Sequence, residues 1–202
     1  MAVLPWLGAL GCGVFVATFV VDGWTRPGYR PVRHGVSALA LGPRGWLQTG
    51  NFLVCGLAVT AGAAALPGAL GSVPLGVMVG VFGLGLVASA VFPMDPMRGY
   101  PPGAPEGTPA RTSARHRMHE HAGTVVFGSL PVTATVAAFA LPGVGWTWYS
   151  ALTGAATLTG LLVFGEAWQQ DDPRVGLLQR LTILVGWTGL GALFVHAARL
   201  AS

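Results

Sequence analysis

Lysine is absent from this chain: all eleven basic residues are arginine, set against seven acidic ones. Charge of either sign is scarce. Charged residues make up 9% of the 202 positions, where a soluble domain carries about 25%. That shortage excludes an ordinary water-soluble domain. Only two cysteines occur, Cys12 and Cys55, both inside apolar runs, so they read as small buried residues. No zinc-type cysteine pairing exists. Several enzyme signatures are also missing. There is no P-loop, no glycine fingerprint in the strand-to-helix setting that a dinucleotide needs, and no G-x-S-x-G elbow. The paired aspartate-rich motifs of intramembrane prenyltransferases are lacking too, since Asp171-Asp172 stands alone.

What is present is apolar length. Hydrophobic residues make up 52% of the chain, grouped in runs of the roughly 20 residues that cross a bilayer. The pattern predicts an all-α integral membrane protein, a single embedded domain spanning 1–202. Its six transmembrane helices are expected at about 3–21, 46–66, 73–92, 119–141, 144–168 and 177–198. The first run lacks a positive leading segment and carries its basic flank afterwards, so it is read as a mature helix and not a signal peptide.

Ten of the eleven arginines fall at three connections: Arg26, Arg30, Arg33, Arg44, Arg98, Arg111, Arg115, Arg117, Arg174 and Arg180. Basic residues gather on the cytoplasmic side of membrane proteins, so those connections are expected inside and both termini outside. The basic excess therefore reports topology, not nucleic acid. The expected location is the inner (cytoplasmic) membrane, crossed several times.

Within the first charged connection, Val36, Leu39 and Leu41 suggest a short interfacial or re-entrant segment, allowed where protein buries it. The second connection, rich in Pro, Gly, Ser and Thr, is expected to be a flexible loop. A faint echo links the two: "DGWTRPGY" follows the first run and "DPMRGY" the third.

Polar groups collect at the arginine-bearing ends of the helices. Asp95 stands between Pro93, two residues before it, and Pro96. Proline restricts the backbone on both sides of the carboxylate. Glu166 lies between Phe164 and Trp168, just past an apolar run, where an ionised acid is costly. Asp22 ends the first run, and Gln48 and Asn51 begin the second. In "HRMHEH", His116 shares a helix face with His119 and Glu120. That face offers either a histidine base or, alternatively, a metal site of His116, His119 and Glu120. Aromatic residues surround the same end. Trp24, Tyr29, Phe92, Phe127, Trp168 and Trp187, with Asn51, are candidates for binding a substrate. Inward-facing rings stabilise positive charge by about 0.5–2 kcal/mol each.

Three stretches, "YRPVRHGVSALALGPRGWLQTGNFLVCGLA", "VFPMDP" and "GLLQRLTILVGW", together with the histidine-bearing start of the fourth helix, resemble a bacterial and archaeal family of six-helix membrane proteins, domain of unknown function 998. The family name implies a fold and no reaction. In length, helix number, arginine-only basicity and tryptophan content the chain is also similar to actinobacterial membrane terpene cyclases of indole and diketopiperazine pathways. That likeness implies cyclisation of a prenylated epoxide or alkene through a carbocation, with no cofactor. It carries over no residue roles.

The residues themselves suit such chemistry. A carboxylic acid kept neutral by desolvation initiates it. Asp95 is the expected acid, and Glu166, His119 or Asp22 would orient it or take the final proton. Two other functions fit the same residues: a metal-dependent intramembrane lipid hydrolase, with Ser37 nearby, and a non-enzymatic lipid-binding or assembly protein. The expected partners are a hydrophobic prenylated molecule and the bilayer.

Overall fold

The computed structural model describes residues 2–202 and is all-α, as expected. Seven helices follow one another: α1 (Val3–Thr25), α2 (Gly45–Ala63), α3 (Leu66–Leu70), α4 (Val73–Val91), α5 (Ala114–Ala140), α6 (Val144–Gln169) and α7 (Val175–Leu200). Five of these, α1, α4, α5, α6 and α7, are long and apolar enough to cross a membrane. The sequence pattern predicts six. The exception is α2, whose first two turns carry Gln48, Thr49 and Asn51 and lower its hydropathy. The extra helix is α3, a short turn that ends on Gly71 in the left-handed conformation.

The six long helices form a closed ring. Each packs on its neighbour in the order α1, α2, α4, α5, α6, α7, and α7 returns to α1. Chain direction alternates around the ring, so the expected connections fall at two ends. At one end the start of α1, the end of α2 and the end of α7 meet: a Cβ on Gly62 would lie 2.8 Å from the ring of Phe194 and 3.0 Å from Gly8. Small residues here allow the backbones to approach closely. The long arginine-bearing connections lie at the other, polar end.

Aromatic side chains fill the ring. Trp187, 2% exposed, stacks on Phe15 with centroids 5.0 Å apart and meets Phe82 edge-on at 4.7 Å. Phe15 also packs against Phe19 and Phe52. Many other apolar side chains point outward, among them Leu57, Leu84, Leu152 and Leu162. A continuous apolar exterior of this kind fits lipid and not water. The chain is a multi-pass helical membrane protein.

The first long connection is folded, as the apolar residues in it suggest. Val36–Ala40 forms a short 3-10 helix with Val36 and Leu39 fully buried. Its organiser is Arg26. The guanidinium donates to the carbonyls of Leu39 at 2.8 Å, Leu41 at 2.9 Å and Arg44 at 2.8 Å, and to the Tyr100 hydroxyl at 3.3 Å. It also pairs with Asp22, which Arg44 approaches to 2.6 Å. A buried loop must satisfy its backbone polar groups, and one side chain does much of that here.

The same connection docks on the start of α7. Gln179 Oε1 accepts from Val36 N–H at 2.7 Å, and Val32 O accepts from Leu177 N–H at 2.9 Å. Arg180 donates to the carbonyls of Pro31 and His34. A Cβ on Gly176 would run into those two carbonyl oxygens, so only glycine fits.

The second connection, expected to be a flexible loop, is tied down. Arg98 lies 2.7 Å from Asp171, donates to the Trp168 carbonyl at 2.5 Å and stacks 4.1 Å from the Trp168 ring. Arg33 bonds Glu106 at 2.9 Å and so links the two connections. The sequence echo lands in one place: Tyr29 and Tyr100 pack edge-to-face with centroids 5.2 Å apart.

Candidate functional site

A cavity of about 230 Å³ lies between α5 and α6 at the polar end, near the lower limit of typical ligand pockets at about 300 Å³. Gly123 of α5 and Gly165 of α6 line it where neither helix has a side chain to close the gap. Phe127, Phe164 and Trp168 supply its apolar wall, while Ser37 and Gln179 reach it from the docked connection and from α7. Exposed Thr124 and Gln169 stand at its rim. Its remaining polar groups are His116, His119 and Glu120.

The two histidines are fixed by different partners. The backbone N–H of Asp95 donates to Nδ1 of His116 at 3.1 Å. An imidazole nitrogen that accepts carries no proton, so neutral His116 holds its hydrogen on Nε2. That nitrogen is buried, lies 3.4 Å from Glu120 Oε1 and makes no hydrogen bond. His119 is the reverse. Its Nδ1 sits 2.7 Å from the Phe92 carbonyl, which can only accept. Nδ1 therefore carries the proton and Nε2 is left with a free lone pair. One helix face thus presents a donor and an acceptor to one cavity.

Local sequence explains this arrangement. Ser113 caps α5, its Oγ accepting from His116 N–H at 3.1 Å. Asp95 in turn holds Ser113, accepting from its N–H at 2.6 Å and its Oγ–H at 2.7 Å. Phe92 is the C-cap of α4, so its carbonyl is free to take the His119 N–H.

Asp95 does not meet the expectation of a neutral acid in a dry pocket. Partial burial pushes its carboxyl up, but the two Ser113 hydrogen bonds and the nearby Arg117 outweigh this and hold it below the usual carboxylate range. Its side chain is a clamp on the α5 cap, and its backbone sets the His116 tautomer. Glu166 is exposed and bonded to Gln170 on its own helix, away from the cavity. Asp22, 3% exposed, is consumed by Arg26 and Arg44.

The candidate aromatics divide as well. Phe127 and Trp168 line the cavity. Trp24 is 80% exposed and points outward. Tyr29 is buried and structural: its hydroxyl accepts from Arg180 and lies 2.9 Å from the Gly35 carbonyl, and burial pushes the phenol up to about 12. Asn51 donates to the Phe15 carbonyl at 3.1 Å inside the core. Phe92 contributes its carbonyl and not its ring. Trp187 lines a smaller space deeper in the bundle.

The alternative metal set of His116, His119 and Glu120 is not assembled. Among the described residues no three His, Cys, Asp or Glu side chains converge on a common point. The two imidazoles are turned to separate backbone partners instead. Ser37 and Gln179 lie in the stretches that carry the family resemblance, but nothing in the sequence places them at one cavity. Gln179 sits one turn into a helix, four residues after the tightly packed Val175, and only the docking of a distant connection brings the two together.

Fold and cavity together define a helical membrane protein with a histidine-lined pocket at one end of its ring. Residues 9–196 match the family described as protein of unknown function (DUF998), and the chain belongs to that family. No curated protein and no solved structure matches it.

Proposed function

We propose that this is a six-span enzyme of the inner (cytoplasmic) membrane, with both termini outside. In this reading it cyclises a prenylated epoxide by proton transfer in the cavity between α5 and α6. The observation that carries it is the pair of imidazoles on one helix face held in opposite tautomers. Supporting it are the aromatic cavity wall and, for a sixth span, the position of α2 as a full member of the ring. The arginines at the polar end support an inward-facing cavity mouth.

Roles follow from the hydrogen bonds. His116 meets an N–H at Nδ1, so protonating it there would set two donors against each other. It works as a neutral donor, and the epoxide oxygen accepts its Nε2–H. His119 directs Nδ1–H at the Phe92 carbonyl, which leaves Nε2 to take up and release a proton. It is the proton carrier. Protonated at Nε2, it delivers a proton to the oxygen as the C–O bond breaks. An internal alkene then forms the new C–C bond, and the rings of Phe127, Phe164 and Trp168 face the cation. Neutral His119 removes a proton from the final cation, and the net change is isomerisation. An imidazolium, with an ordinary pKa of about 6.5, is too weak an acid for an unactivated alkene. The epoxide is therefore the substrate preferred over the alkene.

The test uses the purified full chain and an epoxidised farnesyl indole, with products followed by mass and chromatography. Wild type yields a cyclised product of unchanged mass. His119→Asn lowers the rate by about 10²–10⁴-fold, the usual contribution of a general acid–base group, and keeps the helical fold. Chelator has no effect. A wild type that converts nothing, or a fully active His119→Asn, would sink the proposal.

A further inference from the structure

Beside the main cavity lies a second space of about 30 Å³ at the bundle axis. Ser37, His119, Gly123, Phe127 and Gln179 line both. The smaller space is roughly the volume of one water molecule or one ligand oxygen. Trp187 lines it, and the indole Nε1–H has no hydrogen-bond partner although the side chain is 2% exposed. A buried tryptophan N–H normally finds an acceptor. This indole cannot turn to seek one elsewhere, because Phe15 and Phe82 hold it on two sides.

Two buried donors without partners thus belong to adjoining spaces. His116 Nε2–H faces the outer one, and Trp187 belongs to the inner one. From this we infer that Trp187 is a specificity-determining residue: its Nε1–H binds an oxygen at the end of the ligand that enters deepest. The ligand class is then an apolar chain with two acceptor oxygens, one for each donor. The inference rests on the proposed function only in taking the His116–His119 cavity as the ligand site.

Binding of two matched terpenoid alcohols to the purified full chain tests this without turnover. Geraniol carries one oxygen, and 8-hydroxygeraniol adds a second at the far end of the same chain. Wild type should bind the diol about fivefold more tightly, the usual yield of one added hydrogen bond. Trp187→Phe should erase that difference: the ratio of the two affinities falls to about one, and that ratio, not the affinity for geraniol alone, is the readout. A second readout uses wild type alone, with ¹⁵N-labelled tryptophan. One indole N–H signal should shift on adding the diol and stay in place with geraniol. Equal affinity of wild type for the two alcohols, or a preference that persists in Trp187→Phe, overturns the role of Trp187 and leaves the cavity reading standing. If neither alcohol binds, both readings fall.

Discussion

The backbone N–H of Asp95 donates to Nδ1 of His116 at 3.1 Å, across 21 residues of chain. The aspartate contributes its main chain to the cavity and its side chain to the helix cap. Ser113→Ala removes the cap of α5 and the hydroxyl that donates to Asp95, and leaves the Ser113 N–H bond to the carboxylate. It should cost about 1 kcal/mol of stability, read as a lower unfolding temperature in detergent. It should also alter the pH profile of any activity that depends on the His116 tautomer.

Acid sensitivity follows from the same clamp. The folded-state carboxyl of Asp95 is depressed, so its contribution is present above the unfolded value of about 3.9 and is lost as pH falls through the folded value. Thermal unfolding of wild type should decline below about pH 4. Asp95→Asn should be less stable at neutral pH and decline less over that acidic range. Parallel curves for the two proteins would show that the clamp contributes nothing.

Asp22→Asn should be severely destabilising. It leaves the buried Arg26 guanidinium without its charge partner, a change that costs about 3–5 kcal/mol. Adding Arg26→Met should not rescue it, unlike many buried pairs replaced together, because the carbonyls of Leu39, Leu41 and Arg44 then lose their donor. Urea or heat unfolding of the single and double variants measures this.

Gly176→Ala places a methyl against the backbone carbonyls of Pro31 and His34. Neither oxygen belongs to a side chain that can swing aside. The first connection should lift from α7 at a cost of about 1–3 kcal/mol, and limited proteolysis should cut more readily between residues 26 and 44.

The candidate aromatics give a direct contrast. Trp24→Ala should leave geraniol affinity unchanged, since that ring faces outward at 80% exposure. Trp168→Ala removes a cavity wall and the platform under Arg98, and should weaken binding by about tenfold, as for loss of a large apolar contact.

Helix positions were legible in the sequence because apolar length and the siting of arginine are one-dimensional signals. The histidine face was legible too, since His116, His119 and Glu120 are close neighbours on α5. The folded first connection could be anticipated from Val36 and Leu39. The roles of the acids could not. Asp95 and Asp22 look alike as carboxylates at helix ends, yet Ser113 claims one and Arg26 with Arg44 claims the other. Ser113 and Arg44 lie 18 and 22 residues away, at separations set by loop geometry, and only Arg26 stands at helical spacing. Glu166 sat close to an apolar run but on the outer side of α6, the helix with the least buried surface of the membrane-length five. Periodicity does not say which side of a helix meets the ring when nearly every side chain is apolar.

The docking of the first connection on α7 also sets an order of events during synthesis. His34 waits for Arg180, 146 residues later. At about 5–20 residues per second the ribosome takes roughly 7 to 30 s to make that partner. Through that interval the carbonyl of Pro31 lacks its Arg180 donor and that of His34 has only the Tyr29 hydroxyl. The nascent protein must hold α1 beside a place not yet filled, and a chain stopped before α7 leaves its earliest loop permanently undocked.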